Sequence, residues 1–451
     1  MSDSILKTVK FGGSSLADAN QFRKVKAIIE AEPSRRFVVP SAPGKRCSTD
    51  TKITDLLYQS QKLAAAGEDF AKPFRQVCAR YFEIDKELGL SFDPADELDI
   101  IADALKNGAS KDYAASRGEY LNGKMLANFL DIPFIDAAEV IRFDKNGTLL
   151  MDETIALMKK RLEGVERAVI PGFYGADSDG NVITFSRGGS DITGSLVARA
   201  TESNIYENWT DVSGVLVADP RIIENAAPIN TITYEELREL SYMGASVLHE
   251  DAIFPVRAAG IPINIRNTNE PSAPGTMIVA GDSADSDTFT GYTITGIAGR
   301  KGFCAINIQK AMMNGEIGFC RKILTVLEEM NISFEHMPSG IDTMSIILPE
   351  EAIIGKEQTV LSKIRKAVNP DSCEIEHGIS LLAVVGRGMR RTHGTAARIF
   401  AALSHARINI KMIDQGSSEL NIIIGMLDGD FERAIRCIYD VFVTSVIEEK
   451  A

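Results

Sequence analysis

The sequence predicts an α/β layer fold with a mostly parallel sheet, followed by a pair of smaller α/β modules. Three observations carry this expectation. Short strands alternate with helical periodicities over residues 1–281, two glycine-rich turns each lie between a strand and a helix, and the last third of the chain repeats itself.

The alternation begins with a strand over residues 7–11 that runs into Gly12-Gly13-Ser14-Ser15, with helical spacing from Ala17 onward. A second strand is expected at 37–40. Helical patterns then dominate residues 52–129, with turn signals at Gly67, Gly89 and Asn107-Gly108. Strands are expected again at 133–135 and 168–173. Asp177-Ser178-Asp179-Gly180-Asn181 reads as a hairpin turn, because Asp-Gly and Gly-Asn tolerate positive φ, and a strand over 182–185 follows it. Residues 188–194 open another helix and 205–209 form the next strand. A turn-rich stretch over 267–281 marks the end of the region.

Within the C-terminal third, residues 322–347 overlay 398–423 without gaps, Ile323 falling on Ile399 at an offset of 76. Gly318/Gly394, Leu327/Leu403, Ile332/Ile408, Gly340/Gly416, Ile346/Ile422 and Ile347/Ile423 coincide. Each copy reads strand, glycine-containing turn, amphipathic helix, strand, turn, strand. Chance matching of apolar residues is the competing explanation; the glycines and the apolar period agree together, which favours a duplicated module.

Composition narrows the function classes. A chain of 451 residues with 45% hydrophobic and 25% charged content is an ordinary soluble globular protein of two to four domains. With 49 Lys and Arg against 62 Asp and Glu, the net charge of −13 argues against general nucleic-acid binding, which needs a basic face. The six cysteines (Cys47, Cys78, Cys304, Cys320, Cys373, Cys437) are scattered without C-x-x-C spacing, as expected of unpaired thiols in a reducing cytosol. The five histidines are far apart and show no zinc-type spacing. There is no basic-then-apolar leader and no apolar run of the ~18 residues that a membrane span needs, so a cytoplasmic protein without membrane contact is expected.

Four short segments carry possible chemistry. In Lys10-Phe11-Gly12-Gly13-Ser14-Ser15, glycines let backbone N–H groups approach a phosphate, and Lys10 adds a point charge. It is not a Walker A sequence, and alone it also reads as a plain tight turn. Ser186-Arg187-Gly188-Gly189-Ser190-Asp191 combines a guanidinium suited to a carboxylate with a carboxylate suited to an ammonium group or a metal-bound phosphate; a helix N-cap with a surface ion pair is the bland alternative. Trp209-Thr210-Asp211 with Asp219-Pro220-Arg221 offers groups for a ribose, a base and phosphates, or simply a strand-end turn. Glu119, in Ser116-Arg117-Gly118-Glu119, reads alone as a solvated helix residue.

Their order along the chain resembles the aspartokinase family. The series is Val9–Ser15, Ser41-Ala42-Pro43-Gly44 with Thr54, Arg117-Gly118-Glu119, Gly172-Phe173, Ser186–Asp191, Trp209–Asp211, Asp219–Arg221, and Gly244-Ala245 with Val247-Leu248-His249. The resemblance covers nearly the whole chain, and the duplicated tail is similar to ACT domains. It implies a carbamate-kinase-like amino-acid-kinase three-layer sandwich over 1–281, followed by two ferredoxin-like ACT modules at 294–370 and 379–451.

By the same resemblance, Lys10 and Asp191 are the catalytic pair, with Gly12 and Gly13 beside the transferring phosphate of ATP and Mg²⁺ held mainly through the nucleotide phosphates. Ser41, Thr54, Glu119, Arg187 and Asp191 form the aspartate site, with Arg187 on the α-carboxylate and Glu119 on the α-ammonium. Thr210, Asp211 and Arg221 serve the nucleotide. Met313, Gly318, Phe319 and Glu335 serve an amino-acid effector, lysine first and threonine second, in a homodimer or dimer of dimers built through the ACT modules. The chain departs from the common pattern at Leu216, where many members carry tyrosine, and at Ser246, where many carry lysine. It ends at Ala451 without room for a fused homoserine dehydrogenase, so a monofunctional enzyme is expected. A relative acting on glutamate or a nucleotide, and a silent amino-acid sensor, are the alternatives.

Overall fold

The computed structural model describes residues 5–186, 188–245, 248, 250–281 and 293–445. The chain divides into two compact units: Met1–Val215, Pro228–Tyr234 and Val247–Thr288 form the first, and Leu216–Ala227, Glu235–Ser246 and Phe289–Ala451 the second.

The strands of the first unit are β1 (Lys7–Phe11), β2 (Arg35–Pro40), β3 (Ala168–Val169), β4 (Tyr174–Ala176), β5 (Val182–Thr184), β6 (Ile205–Thr210), β7 (Thr231–Thr233), β8 (Ile263–Asn267) and β9 (Thr276–Val279). Seven of them build one sheet in the order β3-β2-β1-β6-β8-β9-β7, parallel from β3 to β8, with β9 antiparallel to β8. Strands buried on both faces need near-continuous apolar sequence; β1 (Lys-Thr-Val-Lys-Phe) and β6 (Ile-Tyr-Glu-Asn-Trp-Thr) depart from it, with Lys10, Glu207 and Asn208 among their buried polar residues. The remaining two strands pair as the hairpin β4–β5, as Asp177–Asn181 predicts. The Asp177 carboxylate accepts from the Asp179 and Asn181 N–H groups at 2.9 Å each, and Gly180 takes φ 84°.

Helices α1 (Ala19–Glu30), α2 (Ile53–Ala65), α3 (Ala71–Leu88), α4 (Pro94–Lys106) and α5 (Lys111–Leu130) pack with Val9, Phe11 and Trp209 in one apolar core. The expected breaks in the 52–129 stretch fall where glycine turns left-handed: Gly67, Gly89 and Gly108 all have positive φ, and Gly89 caps α3. After α6 (Ala137–Val140), helices α7 (Met151–Leu162), α8 (Gly189–Ala200) and, past α9 (Tyr234–Tyr242), α10 (Glu250–Ala258) gather around α8, which packs against β1 and β6. The result is a helix–sheet–helix sandwich. Two expected strands are shorter than the pattern suggested. Residues 133–135 reduce to a single bridge from Phe134 to Val169, and 168–173 pair only through Ala168 and Val169. Pro171 has no N–H to donate, and Phe173 turns to φ 79°.

The second unit holds β10 (Gly296–Gln309), β11 (Thr343–Pro349), β12 (Ser372–Val385), β13 (Met412–Asp414) and β14 (Asn421–Leu427), in one antiparallel sheet ordered β11-β10-β12-β14-β13. Helices α11 (Phe319–Glu329), α12 (Glu357–Val368), α13 (Thr395–His405) and α14 (Phe431–Tyr439) accompany it. The repeat is written in the backbone. Gly318 and Gly394 precede α11 and α13 with φ of 80° and 82°, and Asn331 and Arg407, again 76 apart, follow those helices with φ of 53° and 54°. The long strands β10 and β12 serve both copies: residues 296–300 pair with 381–385, and 303–309 with 372–379, across a bulge.

No helix among the described residues is long and apolar enough to cross a membrane, and all six cysteines are free.

Candidate active site

The first glycine turn leaves the C-terminal end of β1. Gly12 N–H donates to the Trp209 carbonyl at 2.9 Å, Ser15 N–H closes back on Gly12 at 3.0 Å, and the Ser15 and Thr268 hydroxyls lie 2.7 Å apart. The turn is thereby tied to the ends of β6 and β8, at the carboxyl edge where α/β sheets bind ligands. Strand alternation turns Lys10 away from Val9 and Phe11, toward α8. It is only 7% exposed.

The second glycine turn meets it there. Gly188, at φ 59°, caps α8, and Asp191 stands in the first helical turn, where the helix dipole favours a carboxylate. Lys10 Nζ lies 2.6 Å from Asp191 Oδ1. Asn208, opposite Lys10 in the β1–β6 register, accepts from Lys10 Nζ at 3.3 Å and donates its amide to Asp191 Oδ1 at 2.8 Å. A cation, a carboxylate and a carboxamide thus form a closed set among β1, β6 and α8.

A third segment, Ser41–Gly44, borders the first turn. Ser41 N–H donates to the Phe11 carbonyl at 3.0 Å, Asn122 on α5 donates to the Ser41 carbonyl at 2.6 Å, and Gly44 N–H donates to the Gly13 carbonyl at 2.8 Å. Helix α5 approaches closely because it is lined with small residues; a Cβ at Gly118 would sit 2.9 Å from that of Ala42. Glu119 is carried in with it and is 6% exposed, contrary to the solvated helix residue that its local sequence suggests. Burial pushes its carboxyl up to about 8, against a bond from the Ala42 backbone that works the other way. Glu119 Oε2 and Asn122 Oδ1 are buried with no hydrogen-bond partner among the described residues. Buried acceptors of this kind call for a donor, from water or from a polar ligand. Thr54 stands half-buried in the first turn of α2.

A cleft of about 570 Å³ adjoins the second turn, walled by Tyr58, Lys111, Asp112, Thr184, Ser186 and Ile192 among others. The Thr184 hydroxyl donates to Asp112 at 2.7 Å. Phe173, which had a place in the motif series but no role, packs under α8: its N–H donates to Thr193 Oγ1 at 3.2 Å, and its left-handed φ is strained for a bulky residue.

Not every expected residue gathers here. Thr210 lies at the end of β6, its carbonyl accepting from Thr268 N–H at 2.9 Å and its hydroxyl donating to the exposed Asp211 at 3.2 Å. Arg221 belongs to the second unit, where its side chain is 87% exposed and its Nη2 pairs with Asp219 at 2.6 Å; half-buried Leu216 belongs there too. Arg187, Ser246, Val247 and His249 lie outside the described residues. In the C-terminal repeat, Met313 and Phe319 contribute to the core, Gly318 supplies the turn, and Glu335 engages Arg300 at 3.5 Å and the Tyr242 hydroxyl.

Asn208 and Asn122 were not singled out from sequence. The signal for Asn208 was a polar residue inside a buried strand, level with Lys10.

The model of the amino acid kinase family matches residues 7–267, and an ACT domain model matches 382–442. The chain is therefore an amino acid kinase joined to an ACT-type regulatory region. It is 39% identical to Aspartokinase 3 of Bacillus subtilis over 98% of this chain and 100% of that protein. The crystal structure of Clostridium acetobutylicum aspartate kinase superposes with a TM-score of 0.90 at 52% identity, covering 97% of this chain and 100% of that one. The chain belongs to the aspartokinases. The structure of E. coli aspartokinase III with aspartate and ADP shares the fold, at a TM-score of 0.71, 24% identity and coverage of 97% and 99%. The chain also matches, at 28% identity, a bifunctional aspartokinase/homoserine dehydrogenase of Arabidopsis thaliana, of which it spans about half the length.

Proposed function

We propose that this chain transfers the γ-phosphoryl group of ATP to the β-carboxylate of L-aspartate, giving 4-phospho-L-aspartate, the first step toward lysine, threonine and methionine. The observation that carries this reading is the Lys10–Asp191 ion pair of 2.6 Å, set where two glycine turns converge. A phosphoryl-transfer transition state spreads negative charge over the moving group, so a fixed ammonium and backbone donors lower its energy without a covalent intermediate. Lys10 is the ammonium; Gly12 and Gly13 let the phosphates approach. Asp191 orients Lys10 and the substrate. The β-carboxylate is ionised at neutral pH and attacks without a strong general base.

The partnerless Glu119 oxygen suits the α-ammonium of aspartate, with Ser41 and Thr54 beside it and Arg187 reserved for the α-carboxylate. Thr210, Asp211 and Arg221 are the proposed nucleotide contacts. Among the described residues no cluster of three or more His, Cys, Asp or Glu forms a metal-ligand set. The single carboxylate of Asp191 beside Lys10 suits a Mg²⁺ ion carried mainly on phosphate and water oxygens, which would neutralise phosphate charge when bound.

The duplicated tail, with working limits 294–370 and 379–451, suits feedback control by lysine, or by threonine, at Met313, Gly318, Phe319 and Glu335 in a cytoplasmic homodimer or dimer of dimers. The structure of E. coli aspartokinase III with lysine and aspartate has the same fold. Purified protein given ATP, Mg²⁺, aspartate and hydroxylamine tests the reading. Aspartyl hydroxamate should accumulate, and lysine should reduce its rate; no hydroxamate at saturating substrate removes the proposal.

A further inference from the structure

Arg80 takes no part in the chemistry described so far, yet its guanidinium bonds backbone beside the first glycine turn and in the Ser41–Gly44 segment. It lies on α3, 4% exposed. Its Nη1 donates to the Ala17 carbonyl at 3.2 Å, just past the first glycine turn, and to the Gly44 carbonyl at 2.9 Å, in the segment that carries Ser41. Its Nη2 donates to Asp50 Oδ2 at 2.5 Å. Asp50 is the knot of the 44–50 loop: the same oxygen accepts from the Arg46 N–H at 2.9 Å and from Arg46 Nε at 3.1 Å, and Arg46 also reaches Glu83 at 2.8 Å. The two arginines hold the Asp50 carboxyl well below the usual carboxylate range, against the opposing effect of burial.

We propose that Arg80, anchored by Asp50, is a positioning residue for phosphoryl transfer that clamps the Gly12–Ser15 turn and the Ser41–Gly44 segment at a fixed separation. The need for a clamp follows from the glycines. Gly13 and Gly44 touch so closely that a Cβ on Gly44 would lie 2.5 Å from the Gly13 carbonyl carbon, and the direct tie between the two residues is one hydrogen bond of 2.8 Å. Flexible glycine backbone does not hold sub-ångström geometry by itself, and displacement of about 1 Å at a reacting centre costs on the order of 100-fold in rate. The guanidinium supplies the stiffness: its Nη1 bonds a carbonyl beside each segment while Asp50 holds Nη2, a planar arrangement that the compact, rotatable ammonium of lysine does not reproduce.

This inference rests on the reading of the Gly12–Ser15 turn as the phosphate site, so the test separates the two. Arg80→Ala, Arg80→Lys, Asp50→Asn and Lys10→Ala proteins are assayed for hydroxamate formation well below each melting temperature, with kcat and the KM values of ATP and aspartate determined separately. Arg80→Ala is expected to lose about tenfold or more in kcat and to raise KM for ATP more than KM for aspartate. Millimolar guanidinium, bound against the intact Asp50, should restore part of kcat, and Arg80→Lys should fall between. Folded Arg80→Ala with kcat and ATP KM within twofold of the parent overturns the proposal, as does guanidinium that restores the melting temperature but not kcat. If Arg80→Ala does not fold, Asp50→Asn, which keeps the side-chain volume, decides by the same kcat and KM criteria. If Lys10→Ala keeps full activity, the underlying reading of the turn fails, whatever Arg80 does.

Discussion

Lys10 Nζ and Asp191 Oδ1 stand 2.6 Å apart, joining the ends of two glycine turns that face each other across the β1–β6 pair. The Asn208 carboxamide bonds both. Replacing Asn208 with leucine removes the group that fixes the ammonium and the carboxylate relative to each other, while preserving side-chain volume. Loss of an orienting partner of this kind costs about 10–100-fold in activity. We expect kcat for hydroxamate formation to fall by at least about tenfold with the fold intact; a kcat within twofold of the parent contradicts the orienting role.

Glu119 predicts a proton. Burial raises its carboxyl to about 8, so at pH 7 the ligand-free protein carries it mainly neutral. An aspartate ammonium placed against it favours the ionised form. Aspartate binding should therefore release protons at pH 7, and affinity should rise with pH up to about 8. Calorimetry in buffers of different ionisation enthalpy measures the release, and Glu119→Gln should abolish it. Zero release by the parent protein at pH 7 would refute the assignment. The same group makes stability fall as pH rises between its ordinary carboxylate range and 8, because the folded state binds the proton more tightly than the unfolded chain.

Gly44 has no room for a side chain. Alanine there would bring its Cβ to 2.5 Å from the Gly13 carbonyl carbon and 2.7 Å from the Ser14 nitrogen, both backbone atoms of the Gly12–Ser15 turn. We expect Gly44→Ala to destabilise the protein by about 1–3 kcal/mol and to depress kcat together with ATP affinity. Thermal unfolding and steady-state kinetics check this; unchanged values for both would mean that the turn adapts freely.

Glu207 holds a buried ion cluster on the opposite face of the same strands. Its carboxylate accepts from Arg35 Nε at 2.8 Å, Lys7 Nζ at 3.1 Å and the Trp209 indole at 2.8 Å, and its side chain is 1% exposed. Glu207→Ala strands these donors in a poorly solvated place, a loss of about 3–5 kcal/mol. Chemical denaturation should register it, whereas a change below about 1 kcal/mol would show the cluster to be solvent-relaxed.

The repeat was legible because its glycines and apolar positions share one offset, and the matching φ values of Gly318 and Gly394 are the physical reason. The two glycine turns were legible because strand–glycine–helix is a local pattern. The environments of Glu119, Asn208 and Arg80 were not. Glu119 is buried by the close approach of Ala42 over Gly118, a contact between distant segments. Asn208 matters through the register that sets it opposite Lys10. Arg80 reads in sequence as one more charge on an amphipathic helix, and only the folding of residues 44–50 around Asp50 gives it partners.

The sharpest test of the account is the kcat of Lys10→Ala at saturating ATP and aspartate, measured as hydroxamate formed per second beside an independent measurement of aspartate binding. Removal of the ammonium should cut kcat by on the order of 100–1,000-fold while aspartate affinity stays within a few-fold. A variant that turns over as fast as the parent would contradict the central claim that the Lys10–Asp191 pair marks where the phosphoryl group moves.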